Sequence, residues 1–139
     1  MAVYTYKIPL APIPWQRAHP NYVLRRTFDP QRNSKLAYGI YLESQLDHQP
    51  LSGPVRMDAD FFFQVAPSRI KKARIERWYW HFFKPDKSNC EKFLEDVAVQ
   101  VHILSDDCIL CDGRIRKMWT FDEPYVLAVF TELNHDMRD

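Results

Sequence analysis

From Val55 to Phe63 apolar and polar residues alternate, placing Val55, Met57, Ala59, Phe61 and Phe63 on one side of an extended chain. That pattern predicts a strand with one buried face. Val3 to Ile8 alternates in the same way and predicts the first strand. Pro9, Pro12 and Pro14 then impose an extended loop through Trp15 to Pro20. Tyr22 to Phe28 reads as a short strand ended by Asp29-Pro30, and Asn33 or Ser34 is placed to cap a helix from about Lys35 to His48. Leu36, Ala37, Ile40, Tyr41 and Leu46 give that helix its expected apolar face, and Pro50 to Pro54 makes a turn. Arg69 to Arg77 suits a helix or a mobile loop, and the aromatic run Trp78 to Phe83 reads as a strand. After a central helix, Cys108–Met118 and Tyr125–Glu132 read as strands joined by the turn Thr120 to Pro124, hence as antiparallel neighbours. The expected class is α+β: a mixed, largely antiparallel sheet with two main helices packed on it.

The central helix is the most informative element. Pro85 disfavours a helical Lys84, and Ser88 with Glu91 three residues on has the form of a capping box. Cys90, Phe93, Leu94, Val97 and Val101 recur at helical spacing as one buried stripe. The opposite stripe carries Ser88, Glu91, Lys92 and Glu95, flanked by Asp96. With Asp86 ahead of the helix and Asp106-Asp107 beyond it, hard oxygen donors from separate segments could converge on one divalent cation. The plainer account is that Glu91 and Glu95 are solvated, Ser88 only a cap and Asp106-Asp107 only a turn.

Composition narrows the class. A chain of 139 residues with 46% hydrophobic and 14% aromatic content suits one globular domain. The net charge of +1 conceals an asymmetry: Arg17, Arg25, Arg26, Arg32 and Lys35, then Arg69, Lys71, Lys72, Arg74 and Arg77, all precede Asp86. A basic front before an acidic pocket suits a phosphodiester substrate, although scattered solvated cations are common. No stretch approaches the length of a membrane-spanning helix, no signal-peptide pattern opens the chain, and the three cysteines are an odd number. A reducing cytoplasm is therefore expected. Cys108 and Cys111, with Cys90 and His102, could be imagined as a zinc site; buried strand thiols are the alternative.

Lys84-Pro85-Asp86, Asn89, Lys92, Asp96, Asp106-Asp107 and Lys117, in that order and spacing, resemble the RusA-type Holliday junction resolvases. The N-terminal strand, the proline-rich loop and the Pro50–Val55 turn are similar to that family too, so the resemblance spans one domain over residues 1–139. It implies a metal-dependent endodeoxyribonuclease acting on branched DNA as a homodimer, using Mg2+ or Mn2+. The site residues it implies are Asp86, Lys92 and Asp107; helical spacing adds Glu95 as the candidate third carboxylate, with Asp106 as a further metal ligand or supporting acid and Asp96 orienting Lys92. Arg17, Arg25, Arg26, Lys71, Lys72, Arg74 and Lys117 are the expected DNA contacts. Where the family has a second Asp, two residues after the first, this chain has Ser88. Either Glu95, seven residues on and on the same helical face, replaces it, or the chain is a DNA-binding relative that has lost cleavage.

Overall fold

The computed structural model describes residues 2–17, 19–21 and 26–136, the side chains of 19–21 and 26–28 excepted. Its elements are β1 (Val3–Ile8), β2 (His19–Asn21), β3 (Arg26–Phe28), α1 (Arg32–Gln45), β4 (Val55–Gln64), α2 (Ile70–Glu76), α3 (Lys87–Gln100), β5 (Leu110–Asp112), β6 (Ile115–Thr120) and β7 (Tyr125–Glu132). The class is α+β with a mixed sheet, as the patterning predicts. Only part of the expected Tyr22–Phe28 strand falls on described residues, as β3 pairing with β2. Arg69 to Arg77 is helical: a 3-10 turn at Pro67–Arg69 leads into α2.

β4 is central because one of its faces is apolar along most of its length. Val55, Met57, Ala59 and Phe61 are buried on it. β7 lies antiparallel between β4 and β1. β5 and β6 line the other side of β4 and run parallel to it. The expected pairing of the last two strands is therefore incorrect: β6 and β7 flank β4 instead of each other. The short turn allows a hairpin, but both strands gain more by covering the apolar strand. Nor is Cys108–Met118 one strand. Asp107–Ile109 is a 3-10 turn, and β5 and β6 are separated at Gly113, whose φ is 150°. A Cβ built there would stand 1.9 Å from the Met57 carbonyl oxygen, so only glycine permits this approach. Trp78 to Phe83 forms no continuous strand either. It runs beside β6 through an isolated bridge, Trp80 with Met118.

α3 buries Cys90, Phe93, Leu94, Val97 and Ala98, the expected stripe with Ala98 added. It ends in a Schellman motif: His102, left-handed at φ 67°, donates to Val99 O, and Ile103 donates to Ala98 O. α1 starts earlier than expected, after Gln31, because Asp29 accepts from the Gln31 N–H at 2.8 Å and pairs with Lys35 at 2.7 Å. Its buried face also differs. Tyr38, Gly39 and Leu42 are buried, whereas Leu36, Ile40 and Tyr41 are exposed. Tyr38 prevails because its ring packs edge-on against Phe93 at 5.1 Å and its hydroxyl donates to Ala11 O at 2.6 Å. Gly39 lets the helix approach Val101, where even a Cβ would be tight at 3.2 Å. Among the described residues no helix is long and apolar enough to cross a membrane.

Candidate active site

Three segments carry the expected site residues. The first is Asp86, the N-cap of α3, with extended backbone at φ −68° and ψ 143°. The expected capping box does not form, because Ser88 lies inside the first turn and the Asp86 carbonyl already accepts from Asn89 and Cys90. The Asp86 side chain makes no cap hydrogen bond and instead takes one from Lys84 Nζ at 3.0 Å. Ser88 is exposed.

The second segment is the polar edge of α3. Glu91 and Glu95, one turn apart, share a hydrogen bond. Burial first, then the neighbouring Glu91 and Asp107, push the Glu95 carboxyl up to about 7. Lys92 opposes this shift. Its ammonium stands 4.0 Å from Asp96 and 5.0 Å from the centroid of the Trp15 ring. Trp15 is itself anchored to the helix by its N–H, which donates to Asn89 O at 2.8 Å. Asp96 lies between two ammonium groups, with Lys35 also at 4.0 Å.

The third segment follows α3. Leu51 N–H donates to Ile103 O and Ser105 N–H to Leu51 O, which steers the chain into the Asp106-Asp107 turn. Asp106 caps this turn, accepting from Cys108 N–H at 3.1 Å, and that bond holds its carboxyl low. The hydrogen bond to Asp106 raises Asp107, with burial and the Asp106 charge adding to the rise.

Glu91, Glu95, Asp107 and Asp112 line one crevice of about 390 Å3 with Met57, Leu110, Cys111 and Gly113. Thus two expected site acids, Glu95 and Asp107, are brought together, with Lys92 beside them. Glu91 is an acid of the crevice that the capping-box reading obscured; its i,i+4 spacing to Glu95 was the available signal. Asp86 is not among the lining residues, and Glu95 lies nine positions further on, about 13 Å along the helix axis. Among the described residues no three His, Cys, Asp or Glu side chains are gathered as tightly as one ion requires. The donor chemistry nevertheless fits a hard divalent cation: carboxylate oxygens crowded together with one lysine nearby. The thiols do not follow the expectation of buried strand residues. Cys90 is buried in α3, whereas Cys108 and Cys111 are exposed where the 3-10 turn breaks the alternation.

Of the expected DNA contacts, Arg17, Lys71, Lys72 and Arg74 are exposed. The Arg74 guanidinium stands over Phe121 at 5.0 Å. Arg25 and the side chain of Arg26 lie outside what is described. Lys117 is half-buried and donates to the carbonyls of Phe83 and Pro85. The fold gathers cations and rings into two surfaces. Arg69, Lys72 and Arg77 rim a cleft of about 440 Å3 with Trp78, Tyr79, Trp80, Phe82 and Phe83. Lys87, Arg114 and Arg116 line a groove of about 550 Å3 with Trp80 and His81, starting immediately after Asp86.

None of the curated proteins compared with the chain matches it. The family model described as endodeoxyribonuclease RusA matches residues 9–127, a span that holds β4, all three helices, the acid crevice and both cationic surfaces. The chain belongs to the RusA endodeoxyribonuclease family.

Proposed function

We propose that this protein is a magnesium-dependent endonuclease that hydrolyses phosphodiester bonds at four-way DNA junctions. Family membership supports a Holliday junction endodeoxyribonuclease function in general. The metal dependence rests on the crevice, where burial first, and then the neighbouring Glu91 and Asp107, raise the Glu95 carboxyl to about 7. Like charges held this close are the arrangement that a cation relieves. Glu95 and Asp107 would hold the ion with Glu91 beside them, whereas Asp86, about 13 Å away along the axis of α3, would act as a separate carboxylate at the helix start. Asp106 is occupied as a turn cap and acts through Asp107. Mg2+ bound there would supply Lewis-acid neutralisation of the phosphate, and Mn2+ has the same donor preference.

The chain's own groups do the rest. Lys92, oriented by Asp96 and the Trp15 ring, offers a positive charge beside the carboxylates for the scissile phosphate. Lys71, Lys72, Arg69 and Arg77 hold phosphates, and the exposed rings between them and Asp86 offer stacking surface to unpaired bases. A junction has two symmetric scissile strands, so we expect a homodimer. Light scattering at micromolar concentration should give twice 16.6 kDa; a monomer alone would contradict it.

A second reading, a binding protein without cleavage, is favoured by one observation: Ser88 puts a hydroxyl on the first turn of α3, and Asp86 is engaged with Lys84. Cleavage of a synthetic junction with and without Mg2+ separates the two. Wild-type cleavage supports the enzyme. No cleavage, with activity gained by Ser88→Asp, supports the binding protein.

A further inference from the structure

Lys117 lies on β6 opposite Phe61 of β4, and its neighbours there tie the aromatic segment to the sheet. Trp119 N–H donates to Tyr79 O at 2.8 Å, and His81 N–H donates to Lys117 O at 3.1 Å. Beyond His81 this backbone lacing stops. Pro85 has no N–H to donate, and the chain must turn from the edge of β6 into α3 within a few residues. At that point the Lys117 ammonium donates to Phe83 O at 2.6 Å and to Pro85 O. The two carbonyls bracket Lys84, and the second belongs to the residue directly before Asp86. An ammonium has three donors, so two of the three are committed to main-chain oxygens. Charge-assisted bonds of this kind are roughly twice as strong as neutral ones. The side chain is half-buried, which is not the disposition of a cation extended toward a DNA backbone.

We propose that Lys117 is a positioning residue for Asp86. By gripping the carbonyls on either side of Lys84 it sets the direction in which the chain enters α3. It thereby fixes where the Asp86 carboxylate stands relative to Glu91, Glu95 and Asp107. This inference rests on Asp86 being a working carboxylate of the proposed nuclease, and it replaces the assignment of Lys117 as a DNA contact.

The test compares wild type with Lys117→Met and Lys117→Arg. It measures the salt dependence of junction binding, kcat and KM at saturating Mg2+, and amide hydrogen exchange of residues 84–90 without DNA. For Lys117→Met the expected result is an unchanged salt slope, KM within about twofold, and kcat lower by about 10²-fold, the scale of a misplaced reacting group. Exchange at residues 84–90 should be at least about tenfold faster, and Lys117→Arg should recover part of both losses. A salt slope reduced by about 0.9 with kcat and exchange unchanged would make Lys117 a phosphate contact and overturn the proposal. Should Lys117→Met not fold, Lys117→Gln keeps one amide donor for the same comparison, and unchanged kcat and exchange in it would equally overturn the tether. If wild type does not cleave, the proposed function fails. Exchange then decides alone: acceleration supports the tether and no change refutes it.

Discussion

Two populations of carboxylates sit within one small sheet-and-helix unit and are treated in opposite ways. On the outer face of the sheet each acid has an arginine. Arg56 pairs with Asp58 and Asp112, both at 2.9 Å, and Arg116 pairs with Asp60 at 2.7 Å. Burial alone would raise the Asp58 carboxyl, but Arg56 and the Arg114 N–H outweigh it and hold it low. Along the edge of α3 the acids face one another. Burial, Glu91 and Asp107 raise the Glu95 carboxyl to about 7, and the hydrogen bond to Asp106 raises Asp107, while Lys92 supplies partial relief to both. Residue type does not distinguish the two sets; local charge balance does. Matched acids hold strands in register, and crowded acids store unfavourable energy that a ligand can release.

Removing the proposed working carboxylates should have the largest consequence. Asp107→Asn and Asp86→Asn should each lower junction cleavage by about 10²–10³-fold, with junction affinity unchanged or increased in a binding assay. Next is the place where the populations meet, Gly113, between Asp112 and Arg114. Gly113→Ala should destabilise the protein by about 3 kcal/mol in denaturant unfolding, because the added methyl would enter the Met57 carbonyl. A smaller effect is expected from the matched set. Arg116→Met should reduce stability by about 1–2 kcal/mol by leaving the half-buried Asp60 without its partner, and should leave cleavage per folded molecule intact.

The smallest effect carries a pH signature. The folded state raises the Glu95 pKa from 4.5 to about 7, so between those values it binds more protons than the unfolded chain. Stability must then fall as pH rises through that window. Glu95→Gln removes the penalty. It should be more stable than wild type by about 1 kcal/mol at pH 8, after allowance for solvent screening, and no more stable at pH 4. Thermal melts at the two pH values check the sign.

How far the sequence reveals this architecture varies by element, for physical reasons. The α3 stripe was legible because Cys90, Phe93, Leu94 and Val97 are all buried, so periodicity and burial coincide. The spacing of Asp86, Lys92 and Asp107 points to the family without the fold, but not to the separation of Asp86 from the acid crevice. The α1 face was not, since Tyr38 is selected by Phe93 and by Ala11 O, partners distant in sequence. The last two strands were misassigned because a short turn argues locally for a hairpin, whereas β4 draws both strands to its own flanks. The Ser88–Glu91 spacing suggests a capping box, but the N-cap of the helix is Asp86, which leaves Glu91 to the crevice. The bonds from Lys117 to Phe83 O and Pro85 O are not legible in the sequence, because those carbonyls lie 34 and 32 residues away.

The central claim is that the crowded acids hold a cation for cleavage, and a magnesium titration of junction cleavage and of melting temperature tests it most directly. Wild type and Glu95→Gln should be measured in parallel, at pH 8. The account predicts that Mg2+ switches on wild-type cleavage and raises its melting temperature, because the ion binds the folded state preferentially. In Glu95→Gln both responses should be lost while the junction is still bound. Equal cleavage and equal magnesium-dependent stabilisation in the two proteins would contradict the account.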